Sequence, residues 1–126
     1  MYDKELVNNI LGQILEAIRK IEKRFESISG TSDFTDTPEG NDKLDAICMM
    51  LIAIGESLKN IDKITNKTLF EKYPEIDWKG VKGLRDIISH HYFDIDAEEI
   101  FWLCKHQLKP LSQTIEKMIN KETRMK

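Results

Sequence analysis

Apolar residues recur at every third or fourth position through most of the chain, which is the spacing of a helix that buries one face. In the first such stretch, from Asp3 to about Ser29, charged residues separate them: Leu6, Ile10, Ile14, Ile18, Ile21, Phe25 and Ile28. The second stretch has the same spacing over Leu44, Ile47, Leu51, Ile54, Leu58 and Ile61. The pattern predicts two long amphipathic helices.

The segment between these helices, at about 30–41, is rich in Gly, Ser, Thr, Asp and Pro. Such residues favour turns, so we expect a flexible loop that ends at an N-cap, either Asn41 or Asp42. The helix after it carries a second apolar surface, made by Ala46, Met49, Met50, Ile52 and Ala53. That surface predicts either a central helix within a bundle or one core face plus a subunit interface.

Shorter helical segments are predicted in the second half of the chain. A short helix is expected around 68–72, and the periodicity breaks at Pro74. Asp77 is a plausible N-cap for a helix from Trp78 to about His91.

A last helical stretch begins after Asp94 or Asp96, and Pro110 is expected to kink it because proline lacks a backbone donor. Strand-like alternation does not occur along the sequence. The sequence therefore predicts an all-α protein, an antiparallel bundle of about five helices: two long, one short and two more. One domain, 1–126, is expected to hold them, with a C-terminal tail at about 121–126.

The charge balance limits the ways in which the chain could bind nucleic acid. Its 126 residues include 19 basic and 22 acidic side chains, which give a formal net charge of −3. No global positive field attracts a polyanion, so an RNA site has to be a local basic patch. Lys79 and Lys82, which precede an arginine, are the candidates for that patch.

The sequence gives no sign of a membrane, metal or disulfide function. No apolar run approaches the roughly 20 residues of a membrane span. Cys48 and Cys104 have no CxxC spacing and sit among apolar residues, which is typical of reduced core thiols. Cys104 with His106 is too sparse for a zinc site, so no metal or cofactor is expected. We predict a cytoplasmic protein.

Groups capable of acid–base chemistry are concentrated in one stretch, GLRDIISHHYFDID, at 83–96. An ideal helix turns roughly 100° per residue, which places Asp86 and His90 on one side. The apolar residues are expected on the opposite side: Val81, Leu84, Ile87 and Ile88. Because an aspartate one turn before a histidine can orient the imidazole, His90 is a candidate general acid or base. His91 falls in the apolar sector and is predicted to pack.

Arg85 projects about 140° away from His90 on the same ideal helix, beside Tyr92. One helix cannot easily bring Arg85 and His90 to one small group, so either the helix distorts or two copies cooperate. Two helices related by a two-fold axis would gather both residues from each chain around one groove. An arginine and a histidine suit phosphodiester chemistry, in which the guanidinium binds phosphate and the imidazole moves a proton of a ribose 2′-hydroxyl or leaving oxygen.

The same stretch resembles the motif of the HEPN-domain ribonucleases. RDIISH at 85–90 matches their arginine, polar residue, variable residues and histidine, and RDIISHHY extends the match to the R-x4-H-x-Y form of the HepT-like toxins. Other strings similar to that branch cover most of the chain: AIGES at 53–57, YPEIDWKGVKGLRD at 73–86, YFDID at 92–96 and LKPL at 108–111.

The resemblance implies a HEPN-like helical fold and a metal-independent endoribonuclease that acts as a homodimer with a composite cleft. It implies that Arg85 and His90 are the catalytic pair and that Asp86 is the polar residue after the arginine. It also implies a partner, a minimal nucleotidyltransferase antitoxin, which adds AMP to the motif tyrosine, Tyr92.

The AIGES string and the wider motif leave alternatives open. Glu56 is either a supporting carboxylate that faces the cleft or a solvent-facing helix residue, and Gly55 is expected to permit close helix packing. The chain could instead be a non-catalytic helical module that binds a nucleotide, an RNA or a nucleotidyltransferase. A third alternative is a structural protein whose two-faced second helix forms a dimer interface.

Overall fold

A computed structural model gives the fold; it describes residues 2–90 and 95–124, with the backbone alone for 89, 90 and 122–124. Within these ranges it contains six α-helices and a short 3-10 helix at Phe70–Lys72. The α-helices are α1 (Lys4–Phe25), α2 (Ser32–Thr35), α3 (Pro38–Thr65), α4 (Trp78–His90), α5 (Ala97–His106) and α6 (Leu108–Arg124). The described ranges contain no strand, so the prediction of an all-α bundle is confirmed.

Aspartate side chains begin three of the helices. Asp3 accepts a hydrogen bond from the backbone N–H of Leu6 at 3.0 Å, at the start of α1. Asp77 and Asp96 do the same for Gly80 and Glu99, at 3.1 Å in each case. Each carboxylate satisfies a backbone donor that has no partner inside the helix, which confirms Asp77 as the cap of α4 and Asp96 as the cap of α5.

The segment at 30–41 differs from the predicted loop, because it contains α2 and the first turn of α3. Thr37 caps α3 by accepting a hydrogen bond from the backbone N–H of Gly40 at 3.0 Å. Pro38 follows at the first helical position, where its missing N–H costs nothing. The prediction of Asn41 or Asp42 as the cap is therefore wrong. Phe34 of α2 is fully buried, with its ring 6.2 Å from that of Phe25.

The last predicted helix is divided into two. Helix α5 ends at His106 and α6 begins at Leu108, so the break precedes Pro110. Pro110 is the third residue of α6, where the backbone N–H has no partner within the helix and its absence is tolerated. Because Pro110 cannot donate to the carbonyl of His106, four residues earlier, the predicted disruption takes the form of a break between two helices rather than a bend within one.

Helix α3 lies between α1 and α4 and runs antiparallel to both. At its start, Lys43 Nζ donates to Ser27 Oγ, just beyond the end of α1. Along α4, Asp62 pairs with Lys82 while the earlier Glu56 pairs with the later Arg85. The predicted apolar stripe of α3 is buried at all six positions: Leu44, Ile47, Leu51, Ile54, Leu58 and Ile61.

The second apolar surface of α3 is only partly covered by the helices that the structure describes. Met49 is 67% exposed, and Ala53, one turn later, is also exposed. Ala46, Met50 and Ile52 are half-buried. Helix α3 is thus central among the described helices, while this surface is partly exposed, and the subunit interface stays a prediction.

Two aromatic contacts anchor the start of α4. The indole N–H of Trp78 donates to the carbonyl of Tyr73 at 2.8 Å, and its ring stacks on Phe70 with 4.2 Å between centroids.

Cys48 and Cys104 are free and buried, as predicted. Burial, and to a smaller extent the nearby Asp45 carboxylate, raises the pKa of Cys48 to about 11. Burial, and to a smaller extent the Cys48 thiol, raises the pKa of Cys104 to about 12. None of the described helices is both long and apolar enough to cross a membrane.

Candidate active site between α3 and α4

Helices α3 and α4 approach each other closely at Gly55. A Cβ atom at this position would lie 3.3 Å from the carbonyl oxygen of Lys82 and 3.5 Å from Cβ of Arg85. The absence of a side chain therefore lets the backbone of α4 lie against α3 next to Arg85, as expected for Gly55. On the inner side of α4, Leu84 and Ile88 are buried and fix the rotation of the helix.

Arg85 lies at the edge of this contact, held by two carboxylates. Its Nε is 2.6 Å from Oε1 of Glu56 on α3, and its Nη1 is 3.3 Å from Oδ1 of Asp86. The arginine side chain is 46% exposed, so its ion pairs contribute little to stability but do orient the guanidinium. Three predicted site residues are thus brought together, and Glu56 faces the arginine rather than solvent alone.

Lys59 is a neighbour of this group that the sequence analysis missed. Its Nζ lies 3.7 Å from Oδ2 of Asp86. The available signal was its position three residues after Glu56, because residues three apart share a helix face. Glu56, Arg85, Asp86 and Lys59 therefore form one alternating row of charges across the two helices.

The two lysines predicted to bind RNA have different surroundings. Lys82 forms an ion pair with Asp62 of α3, and both side chains are largely buried. Lys79, one turn earlier on α4, is exposed to solvent. The charge of Lys82 is thus mostly balanced within the protein, and RNA binding by either lysine stays a prediction.

The remaining motif residues are only partly described. His90 is the last residue of α4, and its side chain lies outside the described set, as do His91 and Tyr92 entirely. The predicted pairing of Asp86 with His90, the packing of His91 and the roles of His90 and Tyr92 therefore stay predictions. The predicted apolar side of α4 is confirmed at Leu84 and Ile88.

Ile87 departs from that prediction, because it is 48% exposed. It borders an open groove of about 460 Å³ between α4 and the α5–α6 corner, together with Trp102, which is also exposed. The groove is acidic as well, since Glu75, Asp77 and Glu99 line it. In the described part of the chain, no three side chains of His, Cys, Asp or Glu converge as a metal site would require. Cys104 is buried, as predicted, and His106 is exposed.

The amino-acid sequence is similar to a family of known proteins. Residues 14–118 match the family model described as "Ribonuclease HepT-like", a span that includes all of α3 and α4. A provisionally assigned RNase of Methanocaldococcus jannaschii is 37% identical over 101 residues, which cover 79% of this chain and 74% of the relative.

Two further relatives differ in how much of their length is matched. A second provisionally assigned RNase of M. jannaschii is 34% identical over 74 residues, covering 59% of this chain and 60% of the relative. The "Probable ribonuclease HepT" of Thermococcus cleftensis is 30% identical over 108 residues, covering 86% of this chain and 91% of the relative. No solved structure matched the chain.

Proposed function

The chain belongs to the HepT-like ribonuclease family, and from that premise we propose that it is an endoribonuclease toxin that cuts RNA without a metal ion. The observation that carries the proposal is the placement of Arg85. Its guanidinium is oriented by Glu56, and its side chain is about half exposed to solvent. Arg85 also precedes His90 by five residues on the same helix. Such an arginine can bind a phosphate group that approaches from solvent.

The reaction follows from what these two side chains can supply. Arg85 binds non-bridging oxygens of the scissile phosphate and offsets the charge that develops there. His90 accepts the proton of the ribose 2′-hydroxyl, the 2′-oxygen forms a bond to phosphorus, and the bond to the 5′-oxygen breaks. The leaving 5′-oxygen takes the proton back from the His90 imidazolium, which restores the neutral imidazole and leaves a 2′,3′-cyclic phosphate and a 5′-hydroxyl. RNA itself supplies the nucleophile, so the scheme needs no metal-bound water.

We propose that two copies form the cleft. Arg85 and His90 point about 140° apart on an ideal helix, so residues of a second copy are needed around one phosphate. Support comes from α3, where Met49, Ala53 and Glu56 follow the spacing of a single helix face. An exposed apolar surface thus continues into the residue that holds Arg85, as expected where a two-fold interface crosses a site.

We also propose a regulatory partner, a minimal nucleotidyltransferase that acts as the antitoxin by adding AMP to Tyr92 in the cytoplasm. The support is the R-x4-H-x-Y motif and the family membership. Incubation with that enzyme and ATP should raise the mass of the chain by one AMP group. An unshifted mass, or the same shift in Tyr92→Phe, would contradict the proposal.

The ribonuclease proposal is tested with purified protein and end-labelled RNA in EDTA. We expect cleavage by the native chain, and a loss of about 10³-fold in Arg85→Ala and in His90→Ala, because each removes a group that acts on the reacting atoms. Circular dichroism and light scattering check that both variants stay folded and dimeric. Lys23→Ala, on the exposed face of α1, is the control and should cut normally.

Cleavage that persists in both variants would overturn the enzyme proposal. Binding of RNA or nucleotide by the native chain without turnover would favour the alternative, a non-catalytic helical module.

A further inference from the structure

A cluster of lysines lies at the C-terminal end of α3, next to the candidate active site. Six residues line an open basin of about 490 Å³ there: Lys59, Asp62, Lys63, Asn66, Lys67 and Lys82. The first five belong to α3 and the turn after it, whereas Lys82 reaches the basin from α4. We call the four lysines the basic tract.

The basic tract is an exception to the acidic character of the chain. Its lining carries four positive charges and one negative charge, a local balance of +3, whereas the whole chain carries −3. Lys82 is paired with Asp62, and Lys59 lies near Asp86. Lys63 and Lys67 are exposed and have no ion-pair partner among the residues that the structure describes. Two positive charges are thus left for a ligand.

The backbone sets the direction in which the basic tract extends. Lys59 and Lys63 are one helical turn apart, which separates them by roughly 6 Å along the same face of α3. Asn66 and Lys67 then adopt left-handed conformations, with φ of 53° and 62°. The N–H of Lys67 donates to the carbonyl of Asp62 at 2.8 Å, which folds the chain back at the end of the helix.

Lysines often lie near a helix C-terminus because its carbonyls and dipole attract cations. This accounts for Lys63, and the ion pair with Asp62 accounts for Lys82, but Lys67 lies beyond the helix end. Lys63 and Lys67 therefore leave two unbalanced positive charges beside that pair, a surface that suits an anion.

We propose that the basic tract binds the phosphates of the RNA strand on one side of the scissile bond, so that the strand leads from Arg85 past Lys59 to Lys63 and Lys67. This rests on the proposed ribonuclease function. Arg85 and Lys59 contact opposite oxygens of Asp86, at 3.3 and 3.7 Å, so the tract begins one side chain away from Arg85. The groove on the other side of α4 is less suited to phosphate, because Asp77 and Glu99 line it, with Glu75 paired to Lys117.

The test measures RNA binding separately from cleavage. The probe is a fluorescein-labelled single-stranded RNA whose 2′-oxygens are methylated, so that it cannot be cut by its own 2′-hydroxyl. In the full chain carrying Lys63→Ala and Lys67→Ala together, the slope of log affinity against log salt should fall by about 1.4. This corresponds to about 25-fold weaker binding in 0.1 M salt.

The control is a double variant near the C-terminal end of α1, Lys20→Ala with Lys23→Ala. It removes the same amount of charge beside the opposite end of α3, and it should bind RNA as the native chain does. Cleavage of a dinucleotide, which is too short to reach the tract, should be unchanged in the Lys63 and Lys67 variant. Cleavage of a long RNA at low concentration should fall with its affinity.

An unchanged salt slope in the Lys63 and Lys67 variant would overturn the tract, and so would an equal loss in the α1 control. Either result leaves the ribonuclease proposal standing if the dinucleotide is still cut. If the variant binds RNA normally but loses an acidic protein partner, the tract is a protein-docking surface and the proposal is wrong. A native chain that neither binds nor cuts RNA contradicts the proposed function itself.

Discussion

Helix α3 packs against α1 on one side and against α4 on the other, and the two contacts are built from different residues. The α1 contact belongs to a core of fully buried aliphatic side chains, such as Leu11 and Ile18 of α1. The α4 contact has a glycine at its closest point and ion pairs along its edge, between Glu56 and Arg85 and between Asp62 and Lys82. Apolar burial supplies most of the stability, so charges at the second contact can serve binding instead.

The largest expected effect is on the α1 side of this comparison. Leu11→Ala should lower the free energy of unfolding by about 3 kcal/mol, because it leaves a cavity among residues that cannot close around it. Urea unfolding measures this change. Leu6→Ala makes the same substitution at a residue that is 44% exposed, and should cost at most about 1 kcal/mol. Equal costs for the two variants would contradict the proposed division between core and site.

The same division decides how much could be predicted from the sequence. The buried stripe of α3 was predicted at every position, because helical spacing is a local property of the chain. For Glu56 the sequence left a cleft-facing and a solvent-facing position open, since its meeting with Arg85 depends on how two helices dock across an intervening turn. Gly55 determines that approach, but a glycine in a sequence does not identify the helix it will contact.

Charged residues were the hardest to assign. Lys82, which was predicted to bind RNA, pairs with Asp62, and its role in RNA binding stays a prediction. Lys63 and Lys67 gave no signal, because lysine is common on exposed helix faces. Only the fold shows which lysines converge. The cap residue of α4 was predicted correctly as Asp77. The cap residue of α3 was predicted wrongly, because Thr37 and Pro38 begin that helix earlier than expected.

The next effect in size tests the closest point between α3 and α4. In Gly55→Ala, the new methyl group would lie only 3.3 Å from the Lys82 carbonyl oxygen, so the backbone of α4 beside Arg85 has to move slightly. A shift of a few tenths of an ångström at Arg85 should lower RNA cleavage about tenfold, since misplacement by about 1 Å can cost about 100-fold. The stability should change by less than about 1 kcal/mol, because alanine favours the helix by a similar amount.

Gly12→Ala is the matched control for this variant. Gly12 also lies inside a helix, α1, but a Cβ atom there meets nothing within 4 Å. We expect about 0.5–1 kcal/mol of added stability from the better helix former and normal cleavage. Normal cleavage in Gly55→Ala as well would show that the close approach does not position Arg85.

The smallest effect concerns the charge that Glu56 places 2.6 Å from Nε of Arg85. Glu56→Gln keeps an oxygen that can accept the Nε hydrogen bond but removes the charge that competes with phosphate. The KM for RNA should therefore fall by about two- to fivefold, with kcat unchanged. Glu56→Ala removes the acceptor too, so the guanidinium loses its orientation and kcat should fall severalfold. Steady-state kinetics on a short RNA separate the two effects, and a higher KM in Glu56→Gln would mean that the carboxylate assists substrate binding rather than opposing it.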